Sequence, residues 1–163
     1  MTQLEDRVLQ FLEQDSAVSR SVLAARCGVS EAEVNDVIAH LEKEKLIIGY
    51  QALVDWERTK KETVTALIEV KVTPQRDKGF DRIAERIYQF DEVESVYLMS
   101  GSFDLTVIIS GRTLREVATF VSERLSVIEG VTGTATHFIL KKYKEKHTMF
   151  VQQEEQSDRI AFA

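Results

Sequence analysis

The chain has 163 residues, of which 44% are hydrophobic and 29% are charged, and its formal net charge is −6. This balance is typical of a globular protein with one or two domains and excludes a disordered chain. The negative charge argues against nucleic-acid binding through bulk charge alone, although a small basic surface would still allow local contacts.

The sequence shows no targeting or membrane signal. No apolar run reaches the ~18 residues that a membrane-spanning helix needs, and the first residues are too acidic for a signal or transit peptide. The single cysteine, Cys27, excludes an internal disulfide. We therefore expect a cytoplasmic protein with no membrane partner.

The first third of the chain predicts three helices. Thr2 and Ser30 each begin a capping-box pattern, with a glutamate three residues later, while Ser19 can cap the second helix and Gly28 ends it. Apolar residues recur at helical spacing in all three segments. They are Leu4, Val8, Phe11 and Leu12, then Val22, Leu23 and Cys27, then Val34, Val37, Ile38 and Leu41.

Three of these positions have the spacing of a helix-turn-helix. Two helices that cross steeply need a small residue at their contact, which Ala24 supplies, and a turn residue that tolerates positive φ, which Gly28 supplies. Val34 then holds the second helix against the first. The alternative interpretation is a bundle of three helices with no role in DNA binding.

The outward face of the presumed recognition helix is acidic, with Glu31, Glu33 and Asp36, and carboxylates repel phosphates. Asn35 could pair with adenine, and lysines and arginines on the flanks could contact the DNA backbone. Binding through so few cations should be weak for each dimer and would need several heads acting together. The candidate DNA-binding residues are Arg20, Ser30, Asn35, His40, Lys43 and Lys45, with Arg58, Lys60 and Lys61 as further flanking cations.

The predicted fold class is α+β. Residues 1–54 form a winged helix-turn-helix domain, with β-branched residues around Gly49 predicting a short hairpin, or wing, at residues 46–54. A charged linker follows at residues 55–62, then a domain at residues 63–146 and a C-terminal tail at residues 147–163. The domain has the order βαββαβ of the ferredoxin-like motif. Its elements are predicted at residues 63–73, 80–90, 93–100, 104–110, 113–125 and 131–143.

A single βαββαβ unit leaves one face of its sheet bare. We expect that its apolar strand residues cannot all lie under two helices, so the sheets of two copies should associate. The residues that carry this expectation are Leu67, Ile68, Val70, Leu98, Val107, Ile108, Phe138 and Leu140.

The segment at residues 98–104 joins two predicted strands. Gly101 would let the backbone approach a ligand, and Asp104 could accept a hydrogen bond from an ammonium group. The alternative is a plain hairpin turn.

Taken together, these motifs resemble the Lrp/AsnC family of feast/famine regulators over almost the whole chain. The helix-turn-helix is similar in LAARCGVS and in LEKEKLIIGYQALVD. The sensor domain, which the family calls the RAM domain, is similar in VESV, in SGSFDL and in GVTGTAT.

The resemblance implies dimers that assemble into tetramers or octamers, bind double-stranded promoter DNA and hold an amino acid or similar effector between subunits. The effector-binding residues that it implies are Met99, Ser100, Gly101, Ser102, Phe103, Asp104, Thr134 and Thr136. The sequence departs from the family at three positions. Val37 and His40 stand where the recognition helix usually carries arginines, and Lys45 replaces the glycine before the wing.

Two other functions remain open. The acidic recognition helix favours an effector-binding oligomer that has lost its affinity for operator DNA. An enzyme related to the sirohaem decarboxylases, which share this architecture, would need histidines and cations around a large pocket. The three histidines lie in different segments, and the sequence shows no catalytic triad, metal-spaced cluster or phosphate loop, so we expect no catalytic residue, metal or cofactor.

Overall fold

The structure, a computed structural model, describes residues 1–73 and 79–150, which form two compact units. The first unit is Met1–Val54 and the second begins at Asp55. None of the described helices is long and apolar enough to cross a membrane.

The first unit contains the three predicted helices, α1 (Gln3–Gln14), α2 (Arg20–Cys27) and α3 (Glu31–Lys43). Both predicted capping boxes are present, because the Thr2 and Ser30 hydroxyls accept hydrogen bonds from the backbone N–H groups of Glu5 and Glu33. The Ser19 hydroxyl accepts from the Val22 N–H at 3.3 Å. These side chains satisfy donors that the first turn of a helix leaves unpaired.

One apolar cluster holds the three helices together. Ala24 is only 5% exposed, and Gly28 ends α2 in the left-handed region at φ +71°, which leaves room for the sharp turn into α3. Val22, one of the apolar residues at helical spacing in the second segment, is not part of this core and is 41% exposed. The buried cluster is Val8, Leu12, Leu23, Ala24, Cys27, Val34, Ile38 and Leu41.

The predicted hairpin, or wing, at residues 46–54 is not formed, because this segment contains no strand. Its pattern of β-branched residues is misleading. Only Ile47 packs against the helical core, whereas Ile48 is 92% exposed and Leu53 and Val54 are also exposed. A strand needs a neighbour for its backbone groups and its apolar face, and the segment has neither within its own unit.

The second unit has the predicted ferredoxin-like architecture. Its sheet has the order β2-β3-β1-β4, with every neighbouring pair antiparallel. A short 3₁₀ turn at Trp56–Arg58 precedes it, within the predicted linker. The main elements are β1 (Val64–Val72), α4 (Asp81–Tyr88), β2 (Val93–Leu98), β3 (Leu105–Gly111), α5 (Leu114–Phe120) and β4 (Val131–Phe138).

The last helix and the last strand are shorter than predicted. After α5 the backbone continues as a π-helical turn, Val121–Leu125, and β4 ends at Phe138 rather than at residue 143. The chain then forms a small hairpin from β5 (Lys144–Glu145) and β6 (Thr148–Met149), which crosses the predicted start of the tail. Pro74 and residues 151–163 of the predicted tail lie outside the described residues.

Gly130 fixes the entry into β4. Its φ is +97°, and a Cβ at this position would lie 2.7 Å from the Ile83 Cδ1 atom. The positive φ therefore favours glycine here, and a side chain would also force the Ile83 side chain to shift. The carbonyl of Gly130 accepts from the Thr73 N–H at 2.8 Å, so the turn also extends the pairing of β1.

The helices cover one face of the sheet, and the register corrects our expectation for the bare face. Paired residues of antiparallel strands point to the same side, so Ile68, Val70, Val107 and Phe138 all face the helix-covered core. Leu67 and Ile108 do lie on the bare face, opposite each other and only half-buried. Leu140 lies beyond β4 and is 93% exposed. The bare face is therefore less apolar than the sequence predicted.

Candidate functional site

The outward face of α3 is the first candidate surface. Val34, Ile38 and Leu41 fix the inner face of the helix, so Asn35 and Asp36 point outward and are exposed. Ser30 and Lys43 lie at opposite ends of α3, about 20 Å apart at 1.5 Å per residue. The predicted DNA-binding residues thus follow the length of this helix rather than forming one cluster.

Three of the predicted DNA-binding residues have partners inside the first unit. The Ser30 hydroxyl donates to the Glu33 carboxylate at 2.8 Å as part of the cap. His40 Nε2 lies 3.6 Å from Glu5 Oε1 in α1. Arg20 is half-buried near the Tyr50 hydroxyl. Lys43 and Lys45 are exposed and make no ion pair with any described residue.

The segment after α3 is tied back to the helix by Tyr50. Its hydroxyl donates to Glu42 at 2.8 Å. Burial and the nearby Glu42 carboxylate raise the pKa of Tyr50, while the neighbouring Arg20 acts in the opposite direction. This contact places Arg20 beside the end of the recognition helix.

The first unit is short of free positive charge. It contains five Lys and Arg residues against nine Asp and Glu residues, a net charge of −4. Arg7, which sequence reasoning missed, donates to the carbonyls of Arg26 and Cys27 and so completes the C-terminal end of α2. The Arg26 guanidinium lies 5.3 Å from the Phe11 ring centre. Among the cations of this unit, only Lys43 and Lys45 have no partner in the described part of the chain.

The negative charge of Glu33 is stabilised by its position at the start of α3. Its carboxylate accepts from the Ser30 backbone N–H at 2.9 Å, and this hydrogen bond lowers the pKa of Glu33. A carboxylate in the first turn is also attracted to the positive end of the helix dipole. This exposed acidic residue therefore stabilises the start of α3.

The second candidate surface is the loop at residues 99–104. The Met99 N–H donates to the Asp104 carbonyl at 2.8 Å, which closes the loop, and the Asp104 N–H donates to the Val70 carbonyl at 3.1 Å. Ser100, Gly101 and Ser102 are exposed, whereas Phe103 and Asp104 are half-buried. A Cβ at Gly101 would meet open space, so the approach to this part of the loop is clear.

The carboxylate of Asp104 has a structural partner that the sequence did not reveal. Its Oδ2 atom accepts from the Val72 N–H at 2.9 Å, where the pairing of β1 becomes irregular. The other carboxylate oxygen has no described hydrogen-bond partner. Asp104 can therefore fix the end of β1 and still accept one further hydrogen bond.

The two predicted threonines lie on the edge strand β4. Thr134 pairs with Val70 and Thr136 pairs with Ile68, so both point to the helix-covered side and are half-buried. Thr134 Oγ1 lies 3.3 Å from Ser126 Oγ. Because Val70 also pairs with Leu105, the structure brings Thr134 and the loop to the same end of the sheet, two strands apart.

A groove of about 840 Å³ lies at the opposite end of the sheet. It is near Gly111, about 20 Å along β3 from the loop at 3.4 Å per residue. Arg112, Arg115 and Arg124 line it together with Glu92 and Glu116. Arg124 pairs with Glu92, and the other oxygen of Glu92 is buried with no hydrogen-bond partner among the described residues. Sequence reasoning did not identify this groove.

Comparison with known proteins places this architecture in a family. The family model described as Lrp/AsnC ligand binding domain matches residues 65–149. A Bacillus subtilis relative, named as the uncharacterized HTH-type transcriptional regulator YugG, is 50% identical over 151 residues, which are 92% of this chain and 91% of that protein. The HTH-type transcriptional regulator LrpA of Pyrococcus horikoshii is 26% identical and covers 84% of this chain and 94% of its own.

Solved structures share the fold at low sequence identity. The leucine response regulatory protein of Mycobacterium tuberculosis has a TM-score of 0.74 at 22% identity and covers 91% of this chain and 98% of its own. The transcriptional regulator NMB0573 of Neisseria meningitidis, solved as a complex with L-Met, has a TM-score of 0.72 at 21% identity and covers 89% of this chain and 93% of its own.

A helix-turn-helix unit followed by a ferredoxin-like unit defines a class of two-domain transcriptional regulators, and the names of the relatives state the same class. Within that class, the chain belongs to the Lrp/AsnC family.

Proposed function

We propose that the protein acts in the cytoplasm, binds promoter DNA as an oligomer and changes its DNA binding when an amino acid or related small molecule binds between subunits. The observation that carries the DNA-binding part is the turn between α2 and α3. Gly28 and the buried Ala24 set two helices against each other, so that the outer face of α3 stays exposed. This arrangement lets a helix enter the major groove of DNA.

The exposed residues of the first unit suggest separate roles on DNA. Asn35 can pair with the edge of an adenine, while Lys43 and Lys45 can contact phosphates at the far end of α3. Arg20, Ser30 and His40 would contribute from the flanks, although each already has a partner in its own unit. Because it has so few free cations, a single helix-turn-helix unit should bind DNA weakly. Assembly of several units would strengthen the binding.

The bare face of the sheet supports assembly. Leu67 and Ile108 lie opposite each other on that face, and Tyr97 pairs beside them with Thr106. We propose that two copies associate through this face and that the dimers assemble further into tetramers or octamers.

The effector site that we propose is the loop at residues 99–104 with the nearby end of β4. The free oxygen of Asp104 suits an ammonium group, and the exposed backbone around Gly101 suits a carboxylate. The Neisseria relative with bound L-Met supports an amino acid as the class of effector. The remaining contributors would be Met99, Ser100, Ser102, Phe103, Thr134 and Thr136.

A mobility-shift experiment tests this function. The full chain is titrated at low salt into duplex DNA from upstream of its own gene, with and without each of the twenty amino acids. We expect a shift that at least one amino acid strengthens or weakens. No shift at micromolar protein under any of these conditions would refute the proposal.

One observation favours a second function. Glu31, Glu33 and Asp36 give the outward face of α3 a negative charge, which suits an effector-binding oligomer with little affinity for DNA. Titration calorimetry with amino acids separates the two functions. Effector binding by a protein that fails to shift DNA would support the second.

A further inference from the structure

The chain carries its densest positive charge at residues 141–150, which we call the lysine hairpin. Four of the ten lysines of the sequence lie here, within six residues. The ladder of β5 and β6 is extended by a hydrogen bond from the Phe150 N–H to the Tyr143 carbonyl at 3.0 Å. Lys144 is therefore held on a paired backbone and Lys146 at its tip, while Lys141 and Lys142 directly precede the ladder.

The lysines of this hairpin differ in how they are engaged. The Lys142 ammonium lies 2.5 Å from Glu145 and 5.0 Å from the Phe150 ring centre, and Lys141 lies 5.2 Å from the Tyr143 ring centre. Lys144 and Lys146 are exposed and have no partner among the described residues. Two ammonium groups near the tip are thus free to meet an external anion.

The tip of the hairpin has an unfavourable backbone. Lys146 and His147 connect the two strands with φ of +41° and +68°. Two-residue turns with positive φ at both positions strongly prefer asparagine and glycine. A residue with a Cβ is sterically disfavoured in the left-handed conformation. The chain therefore has two basic side chains where its own stability would favour Asn-Gly.

The negative charge of the first unit bears on what the lysine hairpin could bind. That unit has a net charge of −4, and two of its cations, Lys43 and Lys45, lack a partner within residues 1–73 and 79–150. Backbone contacts from Lys and Arg supply most of the non-specific affinity for DNA, because each neutralised phosphate releases counterions. If the protein binds DNA, as proposed above, these contacts must come partly from elsewhere in the chain.

We propose that the lysine hairpin is a second DNA-binding element, which contacts the phosphate backbone of duplex DNA through Lys144 and Lys146. Its contribution is independent of base sequence, because an ammonium group on a phosphate carries no sequence information. The helix-turn-helix would then choose the site while the hairpin raises the affinity for any duplex.

The salt dependence of binding tests this role. Binding of labelled duplexes, one from upstream of its own gene and one unrelated, is measured by fluorescence anisotropy over a range of salt concentrations. We expect Lys144→Gln with Lys146→Gln to weaken binding to both duplexes and to lower the slope of log K against log salt by about 0.9 for each lost phosphate contact. The matched control is Arg112→Gln with Arg115→Gln, which removes two charges from the same unit and should leave the slope unchanged.

A second variant separates charge from folding. Lys146→Asn with His147→Gly gives the tip the residues that its turn prefers, so the melting temperature should not fall, yet the affinity for both duplexes should. Wild-type affinity and slope in both hairpin variants would overturn the inference while leaving the proposed function in place. An equal loss in the Arg112 and Arg115 control would also overturn it, because bulk charge would then be the cause. No binding of wild-type protein to either duplex would refute both proposals.

Discussion

At the level of single residues, the end of α3 contains a backbone conformation that suits glycine better than lysine. Lys45 has φ of +60°, and the N–H groups of Leu46 and Ile47 both donate to the Leu41 carbonyl. A left-handed residue directly after a helix commonly ends it, and glycine is the usual choice. The resemblance to the family had already marked Lys45 as a departure from glycine.

We predict that Lys45→Gly raises the free energy of unfolding by about 1 kcal/mol, because it removes left-handed strain. Urea denaturation of the full chain measures the change. Ala39→Gly is the control, since Ala39 is exposed inside α3, where glycine should cost about 1 kcal/mol. Equal destabilisation by both variants would show that position 45 carries no strain.

Asp104 has two tasks that substitutions can separate. Asp104→Asn keeps an oxygen that can accept from the Val72 N–H but removes the charge that an ammonium group would meet. We expect this variant to unfold near the wild-type urea concentration and to lose amino-acid binding by calorimetry.

Asp104→Ala is the companion variant. It leaves the Val72 N–H without its partner, so it should also lower the free energy of unfolding by about 1 kcal/mol. Unchanged amino-acid binding in Asp104→Asn would place the effector elsewhere, and the groove near Gly111 would be the next site to examine.

The sequence predicted residues with a local backbone role well and those with a distant partner poorly. Thr2, Ser19 and Ser30 act as caps as predicted, because a cap depends on neighbours three residues away. The hydrogen bond from the Val72 N–H to Asp104 spans 32 positions, and no sequence spacing announces such a contact.

At the level of elements, the capping box of α3 makes part of the stability of the first unit depend on pH. The hydrogen bond from the Ser30 N–H lowers the pKa of Glu33 below its ordinary value of 4.5. A carboxyl whose pKa is lower in the folded state stabilises that state above the unfolded pKa. The stabilisation is lost as the pH falls through the lower, folded value.

We predict that Glu33→Gln destabilises the protein at neutral pH and that its difference from wild type shrinks as the pH falls below 4.5. Thermal melts across this range measure the gap. Glu31→Gln is the control, because Glu31 lies in the same turn without taking part in the capping box. A gap that stays constant with pH would exclude a role for the ionised carboxylate.

The elements that the sequence predicted correctly are those whose pattern reports burial inside one unit. The three helices and the βαββαβ order follow from periodic apolar residues, most of which pack within 1–54 or within the second unit. The prediction of a wing at residues 46–54 was wrong, because the β-branched residues of this segment are mostly exposed in a single chain. The lysine hairpin was missed because its strands are two residues long and have no apolar alternation.

At the level of the whole molecule, association should depend on the bare face of the sheet. A charge introduced there would lose water on association without gaining a partner. We predict that Leu67→Glu shifts the protein toward the monomer, measured by light scattering or native mass spectrometry. Tyr88→Glu, on the exposed side of α4, is the control and should leave the mass unchanged. A wild-type protein that is monomeric at every concentration would contradict the assembly.

The sequence predicted that the sheets of two copies associate, but it did not identify correctly which residues form the bare face. It indicated that two helices cannot cover all the apolar strand positions, which is true of Leu67 and Ile108. It also assigned Ile68, Val70, Val107 and Phe138 to the bare face. The register shows that they face the helices, and the sequence alone does not say which of the two alternating sides of each strand the helices cover.

The measurement that bears most directly on the function is binding of the full chain to duplex DNA from upstream of its own gene, followed by anisotropy with and without amino acids. We predict an affinity that falls steeply with salt, exceeds the affinity for an unrelated duplex and changes with at least one amino acid. Equal affinity for both duplexes at every salt concentration, unaffected by any amino acid, would contradict it.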